Sequence, residues 1–255
     1  MNKDSNLAVL IDGDNVPSRY IREMMEEIAK YGTPSIKRIY GDWTKPHLSK
    51  WKNILLENAI QPIQQYGYTQ GKNATDSAMI IDAMDILYGG KTDGFCIVSS
   101  DSDFTRLATR LRESSQYVIG IGEKKTPEPF IVACDKFIYL EILKADEVED
   151  KDDKKGKGKV KAKTKKTVQN LTPEVTRLIR QTIYDCADDD GWAFLGDVGS
   201  LINKKQPNFD PRNFGFYKLT PLMDSIGTVK IEERQAPNSR SKHIYVKNIS
   251  SSAKT

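Results

Sequence analysis

A segment that cannot pack into any core interrupts this chain. Residues 151–166 carry nine Lys and two Asp, a charge of +7. Such a stretch buries too little apolar surface to offset the entropy of ordering it, and it reads as a disordered tether. The whole chain is +4, so subtracting that +7 leaves −3 for everything else. The basicity therefore belongs to the tether and not to the folded parts. A solvated linker and a phosphate-attracting tether are both compatible with it. The expected organisation is a first domain over 1–145, a charged linker over 146–170, a second domain over 171–249 and a disordered tail over 250–255. A length of 255 residues accommodates two modest domains.

Composition removes several classes of protein. No run approaches the roughly 18 apolar residues of a membrane span, and only Leu7–Ile11 precede Asp12 as an apolar stretch, too short for the core of a signal peptide. The expectation is a cytoplasmic protein with no membrane partner. Cys96, Cys134 and Cys186 are odd in number and far apart, which argues against a disulfide framework or a cysteine zinc site. His47 and His243 are the only histidines, too distant in sequence to suggest a histidine metal site or a two-histidine nuclease.

Before the tether, strand-like and helix-like runs alternate. Strands are predicted at Leu7–Ile11, Ser35–Tyr40, Ile60–Gln64, Gly94–Val98, Tyr117–Ile121 and Lys136–Leu140. Helices are predicted at Pro17–Tyr31, His47–Asn58, Ala74–Leu87, Asp103–Arg112 and Phe130–Cys134. This alternation implies an α/β fold, a mostly parallel sheet covered by helices, with ligands gathering beyond the carboxyl ends of the strands. After the tether, Thr172 and Pro173 open a helix, Leu195–Lys204 forms a second, and Asp210-Pro211 starts a third towards Met223. Two strands, Val229–Arg234 and His243–Lys247, complete the pattern of a small winged helix.

Acidic residues cluster at three element ends. Asp12-Gly13-Asp14-Asn15 follows the first strand, Asp76 opens the long helix, and Ser99-Ser100-Asp101-Ser102-Asp103 follows the Gly94–Val98 strand. Each has an ordinary explanation: Asp101 or Ser102 as a helix cap, Asn73 with Asp76 as a variant capping box, Asp14-Asn15 before Pro17 as turn chemistry. Taken together they suggest a cation site. Gathered carboxylates resist ionising unless a cation compensates them, and Mg²⁺ prefers oxygen ligands and phosphate. One or two such ions activate water and offset charge on a cleaved phosphodiester. Asp82 lies about 120° around the helix from Asp76, a candidate for the outer part of the site, and Asp85 nearly opposite, on a solvated face.

The ordered set Ile11-Asp12-Gly13-Asp14-Asn15, Gly71-Lys72-Asn73-Ala74-Thr75-Asp76 running into Ile80-Ile81-Asp82-Ala83-Met84-Asp85, and Ser99-Ser100-Asp101-Ser102-Asp103-Phe104 resembles the NYN domain, a branch of the PIN-like metal-dependent nucleases. The resemblance covers residues 5–142. It implies a PIN-like fold, RNA endonuclease activity, and a Mg²⁺ or Mn²⁺ site made by Asp12, Asp76, Asp101 and Asp103, with Asn15 orienting a ligand or water. Asp14 is not a fixed acidic place in the family pattern. Ser99 and Ser100 are candidates for bonding RNA phosphate or metal-held water, or equally for a strand-end turn; Lys72 is a candidate phosphate contact or a solvated surface lysine, and Phe104 reads as core.

The region Thr172–Ile249 resembles the LOTUS, or OST-HTH, domain through Gly191-Trp192-Ala193, Leu195-Gly196-Asp197-Val198-Gly199 and Phe209–Leu222, above all Gly215-Phe216-Tyr217-Lys218-Leu219. That implies a winged helix that binds RNA, some members binding protein partners instead. Lys204, Lys205, Arg212, Lys218, Arg234, Arg240 and Lys242 are the candidate phosphate contacts. Phe214, Phe216 and Tyr217 read as core, and Asp188-Asp189-Asp190 as a helix end that repels phosphate. Two other functions fit the same residues: a non-catalytic RNA-binding adaptor, and a phosphatase of the haloacid-dehalogenase type with Asp12 as nucleophile.

Overall fold

Leu7, Ala8, Val9, Leu10 and Ile11 are apolar without alternation, and all five are 0% exposed. A strand of that kind needs a covered sheet on both faces, and it receives one. In the computed structural model, which describes residues 5–66, 74–143, 171–235 and 242–249 (the side chain of His47 excepted), β1 (Asn6–Asp12) lies inside a six-stranded sheet. The other strands are β2 (Thr33–Gly41), β3 (Gln61–Gln64), β4 (Gly94–Val98), β5 (Tyr117–Gly122) and β6 (Lys136–Tyr139). Their order is β3-β2-β1-β4-β5-β6, every pair parallel. The predicted linker, the predicted tail and the turn Ala236–Ser239 lie outside the described residues.

Alternate residues of each strand feed two separate cores. Leu7, Val9 and Ile11 face α1 (Ile21–Ile28) and α2 (Trp51–Glu57), which contribute Ile21, Met24, Ile28, Trp51 and Leu55. Ala8 and Leu10 face α3 (Ala74–Tyr88), α4 (Thr105–Glu113) and α5 (Glu128–Ala133), which contribute Met79, Ala83, Leu107, Leu111 and Phe130. The predicted helices at Pro17–Tyr31 and His47–Asn58 each begin instead as a 3₁₀ turn, Ser18–Tyr20 and Pro46–Lys50, before α1 and α2. Proline near the start fixes φ and lacks an N–H, and it suits such a tight first turn.

The chain extends from β1 through β2 to β3 on one side, then returns to place β4 on the other side of β1. The order therefore reverses between β1 and β4, the kind of switch point at which parallel sheets gather ligands beyond their carboxyl edge. Ile11 pairs with Val98, so Asp12 and Ser99 leave the sheet side by side.

The chain divides into two units at Lys157/Gly158. In the second, the Thr172 hydroxyl accepts from the Val175 N–H and Pro173 opens α6 (Pro173–Cys186), as the capping pattern predicts. Then follow β7 (Ala193–Phe194), α7 (Leu195–Lys205), α8 (Leu219–Ser225), β8 (Val229–Gln235) and β9 (Lys242–Asn248), with an antiparallel sheet of order β7-β9-β8. The core is Ile179, Ile183, Val198, Ile202, Leu222, Met223 and Val246 with their neighbours. The predicted third helix is broken. Asp210-Pro211 opens only a 3₁₀ turn, Pro211–Phe214, which ends at Gly215 with φ +83, and α8 starts at Leu219. A left-handed glycine closes a helix because it has no Cβ to clash. Tyr217, expected in the core, follows that break and is 47% exposed. The strand β7 was not predicted, since two residues carry no periodicity.

Candidate metal centre

The turn after β1 places the first carboxylate. The Gly13 N–H donates to the Tyr40 carbonyl at 2.9 Å, and a Cβ on residue 13 would come within 2.8 Å of that oxygen. Glycine is required there for steric reasons. The Asn15 and Val16 amides then bond back to the Asp12 carbonyl. Asp12 is 1% exposed. Its Oδ2 accepts from Asn15 Nδ2 at 2.7 Å and from Ser99 Oγ at 2.8 Å. Its Oδ1 is buried and has no hydrogen-bond partner among the described residues. Burial raises the Asp12 pKa, and the bonds from Asn15 and Ser99 offset part of that rise.

Ser99 carries the link onward. It is 0% exposed, and its Oγ also accepts from the Asp101 N–H at 3.1 Å. Asp101 Oδ1 in turn accepts from the Asp103 N–H at 2.9 Å and caps the 3₁₀ turn Ser102–Phe104 that leads into α4. The capping role and the candidate ligand role thus belong to one residue, because the cap fixes the carboxylate's direction. The Ser100 hydroxyl accepts from the Glu123 N–H at 2.9 Å and braces this turn against the end of β5. Both serines hold the loop, as a strand-end turn would, and Ser99 is buried. Phe104 is core, 0% exposed.

Asp76 enters from the first turn of α3. One carboxylate oxygen each from Asp76, Asp101 and Asp103 lies within 4.8 Å of the other two. Asp12 is not one of these three, its carboxylate being drawn into the sheet edge by Asn15 and Ser99. Asp76 has its pKa pushed up to about 6, first by desolvation, then by the charges of Asp12, Asp101, Asp103 and Asp14. All the donors are oxygens, the charge is in excess, and one carboxylate oxygen of Asp12 is buried without a hydrogen-bond partner among the described residues. A hard divalent cation fits such a set.

Other residues are placed elsewhere. Asp14 stands 3.5 Å from Lys45 Nζ and accepts from the Thr75 hydroxyl at 3.3 Å. Lys45 is a neighbour that sequence reasoning missed; its position just beyond β2, on the same carboxyl edge, was the available signal. Asp82 is engaged by Arg38 and Tyr40 of β2, so it fastens α3 to the sheet and does not serve the acidic cluster. Burial, then Asp82, raises the Tyr40 phenol. Asp85 is exposed, as its helical position implies. Lys72 and Asn73 lie outside the described residues. The burial of Asp12 and the two donors on its Oδ2 do not suit an attacking nucleophile, which disfavours the phosphatase alternative.

In the second domain most candidate phosphate contacts have acidic partners. Arg212 corrects its expectation. Its guanidinium grips the Asp210 carboxylate in a two-pronged pair at 3.0 and 2.9 Å, with side chains only 12% and 10% exposed. Lys205 pairs with Asp185, Arg234 with Glu232 at 2.8 Å and Lys242 with Glu233 at 2.9 Å. Lys204 and Lys218 are exposed. Arg240 lies outside the described residues.

A six-stranded parallel sheet with carboxylates gathered where the strand order reverses is the architecture of a PIN-like fold. The NYN domain model matches residues 6–141 and the OST-HTH/LOTUS domain model matches residues 166–240. The chain belongs to the NYN-domain family and carries an OST-HTH/LOTUS domain after the NYN domain. No curated protein matches it. Among solved structures, an uncharacterized protein from Nitrosomonas europaea shares 33% identity, covering 37% of this chain and 89% of its own, with a TM-score of 0.31. A protein of unknown function from Vibrio parahaemolyticus shares 18% identity, covering 54% and 93%, with a TM-score of 0.45. A Chromobacterium violaceum protein shares 26% identity, covering 33% and 89%, with a TM-score of 0.27. No described helix is long and apolar enough to cross a membrane.

Proposed function

We propose that this chain is a cytoplasmic endoribonuclease that depends on Mg²⁺ or Mn²⁺ and uses its second domain to recruit RNA. The observation that carries the reading is the approach of Asp76, Asp101 and Asp103, from two distant segments, to within 4.8 Å of one another. Asp76, Asp101 and Asp103 would hold the ion, with Asp12 behind them. When bound, the ion supplies Lewis-acid chemistry: it makes a water more acidic and offsets charge on the scissile phosphodiester. The chain's own residues do the positioning. Asn15 and Ser99 fix Asp12, Ser99 receives the Asp101 amide, and Asp101 receives that of Asp103. One continuous set of bonds therefore joins the ends of β1 and β4. Lys45, beside Asp14, sets a positive charge at the rim where a phosphate would enter.

The test is incubation of the purified chain with labelled RNA and Mn²⁺ or Mg²⁺, beside Asp101→Asn and Asp76→Asn. Cleavage by the parent alone is the expected result. Equal cleavage by all three would expose a contaminant, and tight binding with no cleavage by any would favour the adaptor.

A further inference from the structure

Strand alternation sorts the side chains of the β7-β9-β8 sheet into two sets. Ala193, Ile231, Ile244 and Val246 face the core of the second domain. On the opposite face Phe194 pairs with Tyr245, Lys230 with Lys247, and Arg234 with His243. An outward face of a small antiparallel sheet is ordinarily polar. Here it carries the rings of Phe194 and Tyr245, joined by Trp192 from the preceding turn, all partly exposed.

Cations are interleaved with these rings. The Arg234 guanidinium lies 4.8 Å from the Trp192 ring centre and 4.7 Å from that of Tyr245. Lys230 and Lys247 stand 5.6 and 5.9 Å from Trp192. Phe194 lies 5.9 Å from Tyr245 and 5.1 Å from His243, centre to centre. Within this face Glu232 is the acidic residue, and it already takes the Arg234 Nε–H. Flat π-surfaces set among positive charges are complementary to a polyanion whose bases are unstacked: rings and guanidinium planes take the bases, and lysines take the phosphates.

We propose that this outward sheet face is a stacking platform for the unpaired bases of single-stranded RNA, with Trp192 and Tyr245 as its ring surfaces and Arg234 between them. The proposal rests on the reading that the chain acts on RNA, and it names where and by what chemistry RNA is held. The acidic turn before Trp192 gives the platform a direction. Asp188 Oδ1 accepts the Trp192 N–H at 2.8 Å, while Asp189 and Asp190 are exposed. The strand's phosphates enter from the Arg234 end and keep away from that turn.

The experiment measures binding by the full chain in EDTA, which prevents cleavage, using a labelled oligouridylate of about a dozen nucleotides and the same ribose-phosphate backbone lacking bases. The parent chain is expected to favour the base-bearing oligomer by about tenfold or more, and Trp192→Leu or Tyr245→Leu to remove that preference, leaving the abasic affinity in place. The double change Lys230→Gln with Lys247→Gln is expected to weaken both oligomers alike and flatten the salt dependence. Should Trp192→Leu unfold the domain in a thermal melt, Tyr245→Leu decides the matter. Parent-like binding by the ring variants, equal parent binding of both oligomers, or binding of neither overturns the platform; the first is also what coverage of this face by another part of the chain would produce. Cleavage in Mn²⁺ without base-dependent binding removes the platform alone, whereas base-dependent binding without cleavage removes the nuclease alone.

Discussion

The acidic cluster of the first domain and the ion pairs of the second treat their carboxylates in opposite ways. At the carboxyl edge of the first sheet, Asp76, Asp101 and Asp103 crowd within 4.8 Å of one another, and the charges of all the neighbouring aspartates help push Asp76 up to about 6. In the second domain acids meet bases: Asp210 with Arg212, Asp185 with Lys205, Glu232 with Arg234 and Glu233 with Lys242. Like charges held together raise the free energy of the folded state, a cost that the cation of the proposed function would offset. Paired charges satisfy each other and need no cation. The contrast separates carboxylates that read as functional from those that read as structural.

The largest expected effect lies in the second domain. Asp210→Ala leaves the Arg212 guanidinium largely buried without its partner and is expected to destabilise that domain by about 3–5 kcal/mol. Thermal unfolding with separate probes for the two domains measures it, and an unchanged melt would erase the distinction drawn above. Next comes Asp101→Asn, expected to lower the rate of RNA cleavage in Mn²⁺ by on the order of a hundredfold or more while leaving the fold intact. If the variant cleaved at the parent rate, the crowded aspartates would have no catalytic meaning.

Metal sharpens the same comparison. Mn²⁺ at about 100 times its dissociation constant is expected to stabilise the first domain by roughly 2.7 kcal/mol and the second not at all. Calorimetry of the parent and of Asp76→Asn, with and without EDTA, checks both halves.

The pH dependence has a definite sign. Asp76 is raised from 3.8 to about 6 in the folded chain, so between those values the folded state binds a proton more tightly than the unfolded one. Its contribution is fully present below pH 3.8 and is lost as pH rises through about 6. Asp185, lowered by the hydrogen bond from Lys205, acts in the reverse sense: its contribution is lost as pH falls. Melts of the metal-free chain from pH 4 to 7 should therefore show the first domain weakening with rising pH, and Asp76→Asn should flatten that slope. The smallest effect is Lys242→Ala. Its pair with Glu233 is exposed, 71% and 57%, and its loss should leave the melting temperature unmoved, since solvent screens such pairs.

Much of the first domain was legible because short-range physics fixes it. The unbroken apolar run Leu7–Ile11 and the alternation of strand and helix both act locally. They locate β1 to β6 within one or two residues at most ends. In the second domain Thr172-Pro173 announced α6 by the same kind of local rule. Asp210-Pro211 predicts a helix start, and Gly215, a local stop signal, ends it after one 3₁₀ turn in a left-handed conformation.

The acidic residues were visible in the sequence as types and positions; what they meet was not. A carboxylate looks the same on paper whether an arginine or another carboxylate lies opposite. That Asp82 would be taken by Arg38 and Tyr40, that Asp12 would be drawn under Asn15 and Ser99, and that Arg212 would turn inward to Asp210 was decided by tertiary structure. The reason is physical: propensity and periodicity act over a few residues, whereas Coulomb interaction and burial act through space, between segments that only the closed fold brings together.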